Sequence, residues 1–155
     1  MQIAVMLGGN LPGSREVMME AVEKFKAAGV KEVRCSRIVS SAAEDCVPGT
    51  PDFLDMGFTG FWQDGAMELL KLCQRIEIEA GRPAVHSSRE SRILDCDIIF
   101  FGDQVIDSAE LIVPHPRARR RRFVLEPLSE IVPQMCFADG TTVLDALREL
   151  PAADC

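Results

Sequence analysis

RILDCDIIFFG, residues 92–102, closes with four consecutive apolar side chains, Ile98 to Phe101, and a terminating glycine. A short apolar run stopped by Gly reads as a buried strand. Strand side chains alternate between faces, so Asp95 and Asp97 point together while Cys96 points away. Two carboxylates side by side repel each other and cost desolvation energy, so their pairing needs a positive partner.

The segments around this strand follow a regular order. QIAVMLGGN (2–10) reads as a first strand. A helix follows over about 14–28, with Val17, Met18, Ala21, Val22, Phe25 and Ala28 at helical spacing, Ser14 as its cap and Gly29 as its stop. VKEVRCSRIVSS (30–41) is a second strand, and 42–51 is a loop with two prolines. DFLDMGFTGFW (52–62) alternates, with Leu54, Met56 and Phe58 on one face and Phe53, Asp55 and Gly57 on the other. A second helix spans about 65–80, with Ala66, Leu69, Leu70, Cys73, Ile76 and Ala80 as its buried stripe. A long polar loop over 81–92 leads into the strand quoted above. The order β-α-β-β-α-β is the ferredoxin-like pattern, an α+β fold. We expect an antiparallel sheet with helices packed on one face, followed by a C-terminal extension with a short helix near 143–150.

The 155 residues suit a single domain spanning 1–155, and 47% apolar content marks a globular chain. A net charge of −7 argues against a nucleic-acid partner, and no apolar run reaches the roughly 20 residues of a membrane span. The six cysteines form no CxxC motif, which favours reduced thiols in a cytoplasmic protein over a zinc site.

Three features carry chemistry. Asp95 and Asp97 are either acids answered by nearby arginines or ligands for a divalent cation such as Mg²⁺, which takes carboxylates together with phosphate oxygens. Arg82, Arg89 and Arg92 precede them, and Arg117 and Arg119–Arg122 follow. A plain structural reading makes the second group a solvated helix start. Yet arginines there oppose the helix dipole, which a bound polyphosphate would offset. Acids for metal plus arginines for oxygens are the parts of a phosphoryl-transfer site, although no P-loop motif is present. Phe53 and Asp55 share a strand face, either as an edge aromatic with a solvated acid or as a platform for a flat heterocycle bearing amino donors.

Together these pieces resemble the 6-hydroxymethyl-7,8-dihydropterin pyrophosphokinases of the folate pathway. The resemblance runs from LGGN (7–10) to FADG (137–140). It is strongest over SRILDCDIIFFGDQVIDSAELIVPHP (91–116), which follows the family pattern PRTLDLDILLFG…VI…L.VPH. RIEIEAGR (75–82) and RRFVLEPLSEIVP (121–133) match as well. The resemblance implies Mg²⁺-dependent transfer of pyrophosphate from ATP to the pterin hydroxymethyl group. Asp95 and Asp97 would bind two magnesium ions. Arg82 and Arg92 would act in catalysis, and Glu77, Arg82, Arg92, His115 and Arg121 would sit on the nucleotide side. Phe53, Asp55 and Phe123 would hold the pterin, and loops around 43–51 and 82–92 would be mobile lids. It further implies two small-molecule partners, ATP and pterin, and a monomer or weak homodimer.

Several positions depart from the family. RWGPRT reads SRESRI (88–93), which keeps Arg92 and loses Trp, Gly and Pro. The arginine expected near Ala84 is absent, a loss of roughly 1.5–3 kcal/mol if it was charge-assisted. TPP reads AAE (42–44), the Tyr after His115 is Pro116, and the pterin-binding Asn is Asp55. Asp replaces a donor–acceptor amide with an acceptor-only carboxylate and changes which ring edge can be read. On that basis Asp55→Asn is expected to tighten binding of the usual pterin. A divergent relative acting on another heterocyclic alcohol, or a weakly active or non-catalytic nucleotide-binding module, is the alternative. An RNA-binding version of the fold fits poorly, because its central strand would present aspartates.

Overall fold

The computed structural model describes residues 1–41, 52–81 and 93–151. The elements are β1 (Gln2–Gly9), α1 (Ser14–Ala27), β2 (Lys31–Cys35), β3 (Val39–Ser41), β4 (Phe53–Phe61), α2 (Ala66–Glu79), β5 (Asp95–Phe101), β6 (Ile106–Asp107), β7 (Ile112–Val113), α3 (Arg122–Ile131) and α4 (Val143–Glu149), with a 3₁₀ turn at Ala118–Arg120. The main sheet is antiparallel in the order β2-β4-β1-β5, with β3 pairing the start of β4. This is the expected ferredoxin-like order once β2 and β3 are taken as one interrupted strand.

The interruption has a side-chain cause. The Ser36 hydroxyl accepts the Gly57 N–H at 2.9 Å, while the Ser36 N–H donates to the Gly57 carbonyl at 2.8 Å. A hydroxyl has thus taken the place of a ladder carbonyl. Arg37 turns outward, giving its N–H and its Nε–H to the Glu130 carboxylate on α3 at 3.0 and 2.8 Å.

One face of the sheet meets α1 and α2 through Ile3, Val5, Leu7, Phe58, Ile98 and Phe101. The other face is also covered, which corrects the expectation of helices on one side only. Ala4, Met6, Ile99 and Phe100 pack against Val124, Leu125 and Leu128 of α3 and Val143 and Ala146 of α4. These buried chains are worth roughly 1.5–3 kcal/mol apiece for the larger ones, so leaving that face bare would forfeit much of the fold's stability. Gly57 permits the contact, since a Cβ there would stand 2.9 Å from Leu128 Cδ2. A bulge finishes the arrangement: Ala4 faces Phe100 and Val5 faces Ile98, leaving Ile99 unmatched. Ile99 and Phe100 can therefore both serve the second core.

Ser14 does not cap α1 as expected. Gly13, at φ 89°, holds the cap position. The Ser14 hydroxyl instead accepts the Leu11 N–H at 3.1 Å and donates to the Ile93 carbonyl at 2.8 Å. That bond ties the start of α1 to the residues entering β5.

Candidate functional site

α3 covers the second face only in part. Beside it, where β1, β4 and β5 approach their ends nearest Gly8, lies a cavity of about 160 Å³. Its floor is Met6, Leu7 and Gly8 of β1. Phe53 and Asp55 of β4 and Ser41 of β3 form one wall. Asp95, Asp97 and Ile99 of β5 form the opposite wall. His115 and Arg121, in the chain leading into α3, and Phe123, in its first turn, close it. Seven side chains singled out in the sequence therefore meet in one place: Phe53, Asp55, Asp95, Asp97, His115, Arg121 and Phe123. Arg82 and Arg92, and both lid loops, lie outside the described residues.

The Asp95/Asp97 pairing is as the alternation requires. Both acids face the cavity, while Cys96 between them is buried in the opposite core. Its thiol and that of neighbouring Cys73 are both pushed up by burial, which leaves them protonated and inert. Glu77 stands elsewhere, on α2 at the outer edge of β5. Its Oε2 accepts the Cys96 N–H at 2.7 Å, and so it holds the backbone between the two aspartates.

Asp55 is not the solvated acid that its place beside an edge aromatic suggested. It is 8% exposed. Burial, together with the nearby charge of Asp95, pushes its carboxyl up to about 7, against the lowering influence of the Ser41 hydrogen bond and Arg121. The Ser41 hydroxyl donates to Oδ2 at 3.1 Å. Oδ1 lies over Gly8, where a Cβ would approach it to 3.0 Å. Ser41 and Gly8 were not anticipated. The register of β1 could have found Gly8, but Ser41 had no signal beyond its place at the end of an expected strand.

The arginine run divides. The Arg121 guanidinium stacks 5.4 Å from the Phe123 ring centroid at the cavity. Arg119 instead binds Asp139 at 2.6 Å, Thr141 at 2.9 Å and Glu149 at 3.5 Å. Arg122 reaches the Glu126 carboxylate at 3.3 Å and the Pro151 carbonyl at 2.7 Å. The expected five-arginine phosphate cluster is thus partly a brace for the C-terminal segment. The His115 imidazole is held below its usual pKa by burial and by Arg121 and Arg117, so it is neutral near pH 7. Its Nδ1 accepts the Arg117 N–H at 3.3 Å. The ring proton therefore sits on Nε2, which makes His115 a neutral donor.

The donor set suits a hard divalent cation. Asp95 and Asp97 offer carboxylate oxygens from one wall. Among the described residues no larger His/Cys/Asp/Glu group could hold a metal ion. Such a pair matches Mg²⁺, which completes its shell with water and phosphate oxygens. Among the described residues, too, no helix is long and apolar enough to cross a membrane.

A profile of the 7,8-dihydro-6-hydroxymethylpterin-pyrophosphokinases matches residues 4–133. The 2-amino-4-hydroxy-6-hydroxymethyldihydropteridine pyrophosphokinase of Synechocystis is 33% identical over 146 residues, covering 93% of this chain and 73% of its own. The enzyme of that name from Pseudomonas aeruginosa is 31% identical over 153 residues, covering 97% and 92%. The folic acid synthesis protein fol1 of Pneumocystis carinii is 33% identical over 129 residues, which is 83% of this chain but 17% of that protein. The chain thus spans most of the two bacterial relatives and a small part of the fungal one.

Proposed function

The chain belongs to the 7,8-dihydro-6-hydroxymethylpterin-pyrophosphokinase family, and on that premise we propose that it transfers the pyrophosphoryl group of ATP to the hydroxymethyl oxygen of 6-hydroxymethyl-7,8-dihydropterin, releasing AMP, as a step in folate synthesis. The observation that carries this is the meeting of two aromatic rings, a buried acid and a carboxylate pair around one cavity.

Phe53 and Phe123 provide apolar ring faces on the walls formed by β4 and by the start of α3. A flat bicyclic ring slotted between them would be oriented by the polar atom of Asp55. Asp95 and Asp97 would hold Mg²⁺ brought with the nucleotide, two ions on the family's pattern. When bound, the metal offsets charge on the phosphate oxygens. Arg121 and the Nε2–H of His115 would donate to those oxygens from the opposite side. Glu77 fixes the backbone of Cys96, and with it the spacing of the two metal-holding acids. Ring wall and phosphate wall are adjacent strands' neighbours across β1, so the pterin hydroxyl and the β-phosphorus would meet above Gly8. Such positioning supplies much of the rate in phosphoryl transfer. Arg82 and Arg92 would contribute further phosphate contacts. Buried free thiols at Cys73 and Cys96 support a reducing, cytoplasmic setting.

The test is direct. ATP, Mg²⁺ and 6-hydroxymethyl-7,8-dihydropterin are incubated with the protein and AMP is measured. AMP formation that depends on the pterin supports the assignment; its absence rejects it.

A further inference from the structure

The chain between β2 and β3 is held by side chains rather than by the sheet. The ladder to β4 runs to Cys35, keeps one more backbone bond at Ser36 and resumes at Val39. At Arg37 both backbone polar groups turn to side chains. Its carbonyl accepts the Ser36 hydroxyl at 2.8 Å, and its N–H donates to Glu130 Oε1 at 3.0 Å. The Arg37 Nε–H donates to the other oxygen, Oε2, at 2.8 Å. One carboxylate of α3 thus fixes both the backbone and the side chain of this joint.

Beyond the joint, β3 rests on three register pairs: Val39 with Asp55, Ser40 with Leu54 and Ser41 with Phe53. So short a strand gains little from its ladder alone. Ser41 and Phe53 line the cavity from this side, and Phe123, in the first turn of α3, lines it from the other. Glu130 follows Phe123 by seven residues, about two turns, and so lies on the same side of the helix. Arg37 therefore fastens the β3 end of one cavity wall to the helix that carries the ring of the other.

We propose that Arg37 and Glu130 are a positioning pair for ring binding: they set the gap between β3 and α3, and with it the affinity for a flat heterocycle, without touching that ligand. This rests on the pyrophosphokinase reading. With the pair intact, the walls stand at the spacing a ring needs before it arrives. With the pair broken, α3 stays seated through Leu125 and Leu128, and β3 is the element that moves. Part of the population then holds β3 away from α3, and the apparent Kd rises by the inverse of the fraction still ready. Nucleotide binding should be spared, because Asp95 and Asp97 belong to β5, and His115 and Arg121 to the segment before α3.

The experiment compares the natural protein with Arg37→Leu, Arg37→Lys and Glu130→Leu by calorimetric titration. Each is titrated with α,β-methylene-ATP and Mg²⁺, and then, saturated with both, with 6-hydroxymethyl-7,8-dihydropterin. Arg37→Leu keeps the backbone N–H bond and should weaken pterin binding about threefold, the scale of an exposed ion pair. Glu130→Leu loses both bonds and should weaken it about tenfold or more. Arg37→Lys keeps a cation opposite Oε2 and should stay within about twofold of the natural protein. Nucleotide affinity should be unchanged in all three. In steady-state assays the loss in Glu130→Leu should fall on KM for the pterin, with kcat held. The Arg37 side chain is largely exposed, so Arg37→Leu decides the matter if Glu130→Leu does not fold. A lower melting temperature with unchanged pterin affinity, or equal weakening of pterin and nucleotide, overturns the inference while leaving the reaction assignment standing. Failure of the natural protein to bind the pterin overturns the assignment and the inference with it.

Discussion

Asp55 and Asp95 stand on either side of one glycine: Gly8 is the register partner of Asp55 in the β1–β4 ladder and of Asp95 in the β1–β5 ladder. Residues in register share a sheet face. Between two such acids a side chain on β1 would normally intervene, but Gly8 has none. The consequence is twofold. Open space joins the wall of Phe53 and Asp55 to the wall of Asp95 and Asp97, and the Asp95 charge adds to burial in pushing the Asp55 carboxyl up to about 7.

Gly8→Ala therefore tests the geometry. Its methyl would sit 3.0 Å from Asp55 Oδ1, closer than ordinary contact, and would displace the acid from its place in the cavity wall. We expect about a tenfold loss of pterin affinity, with a stability change of about 1 kcal/mol or less because only a side-chain end must move. Calorimetric titration and thermal denaturation measure the two effects. Undiminished affinity would mean that the ring does not lie over Gly8.

Asp97→Ala removes one of the paired carboxylates. AMP formation should fall by at least about a hundredfold, the scale of losing a metal-held transition-state charge. The circular dichroism spectrum and melting temperature should stay close to those of the natural protein. Retained activity would end the assignment of this acid to the metal.

Much of this site was legible because strand alternation is a strict rule. LDCDIIFF places two acids together, and FLDMGF places Phe53 with Asp55, by alternation alone. Alternation says which residues share a face, not what covers it. Hence the burial of Asp55 and the packing of α3 over the second face did not follow from pattern. The break between β2 and β3 hides in one hydroxyl, that of Ser36, which imitates a backbone carbonyl. The β6–β7 hairpin has two residues per strand, too few for any period to register. The arginine run shows the limit of composition. Arg119 and Arg121 are two residues apart, yet one serves Asp139 and Glu149 and the other the cavity.

That division yields a paired prediction. Arg121→Ala should lower kcat/KM about tenfold or more, as expected for a charge-assisted contact to phosphate, with little change in melting temperature. Arg119→Ala should do the reverse. It loses its bonds to Asp139 and Thr141 and its stacking on Phe137, so melting falls while steady-state constants hold. Kinetics and thermal scans on both variants decide it. A kinetic defect in Arg119→Ala would return that residue to the site.

Asp55 also sets a pH dependence of stability. Its carboxyl rises from 3.8 to about 7 on folding, so between those values the folded chain binds more protons than the unfolded chain. Its influence on stability is most favourable below about pH 4 and is lost as pH rises towards 7, the reverse of a salt-bridged acid. Asp55→Asn stays neutral throughout. Its stability advantage over the natural protein should grow by about 2 kcal/mol between roughly pH 5 and pH 8. Urea denaturation across that range is the measurement. A constant difference would mean that Asp55 titrates alike in both states.

Glu77 offers the last test, because its effect on the reaction must pass through the backbone. β5 is the edge of the sheet, paired on one side by β1. The Cys96 N–H faces away from that pairing and is satisfied by Glu77 Oε2 at 2.7 Å. Glu77→Gln keeps a carbonyl acceptor of the same reach and should cost about 1 kcal/mol or less. Glu77→Leu leaves a partly buried N–H without its acceptor and should cost about 1–3 kcal/mol. With the strand edge loosened, Asp95 and Asp97 lose their fixed spacing. The Leu variant should therefore need more Mg²⁺ for half-maximal AMP formation, while the Gln variant stays near the natural requirement. A merely structural role would lower the stability of the Leu variant and leave its magnesium dependence unmoved. A direct role of the carboxylate toward the nucleotide would make Gln as damaging as Leu. Magnesium titrations of both variants, read beside their urea midpoints, separate the three outcomes, and only rescue by Gln of both stability and metal requirement supports Glu77 as the residue that sets the aspartate pair.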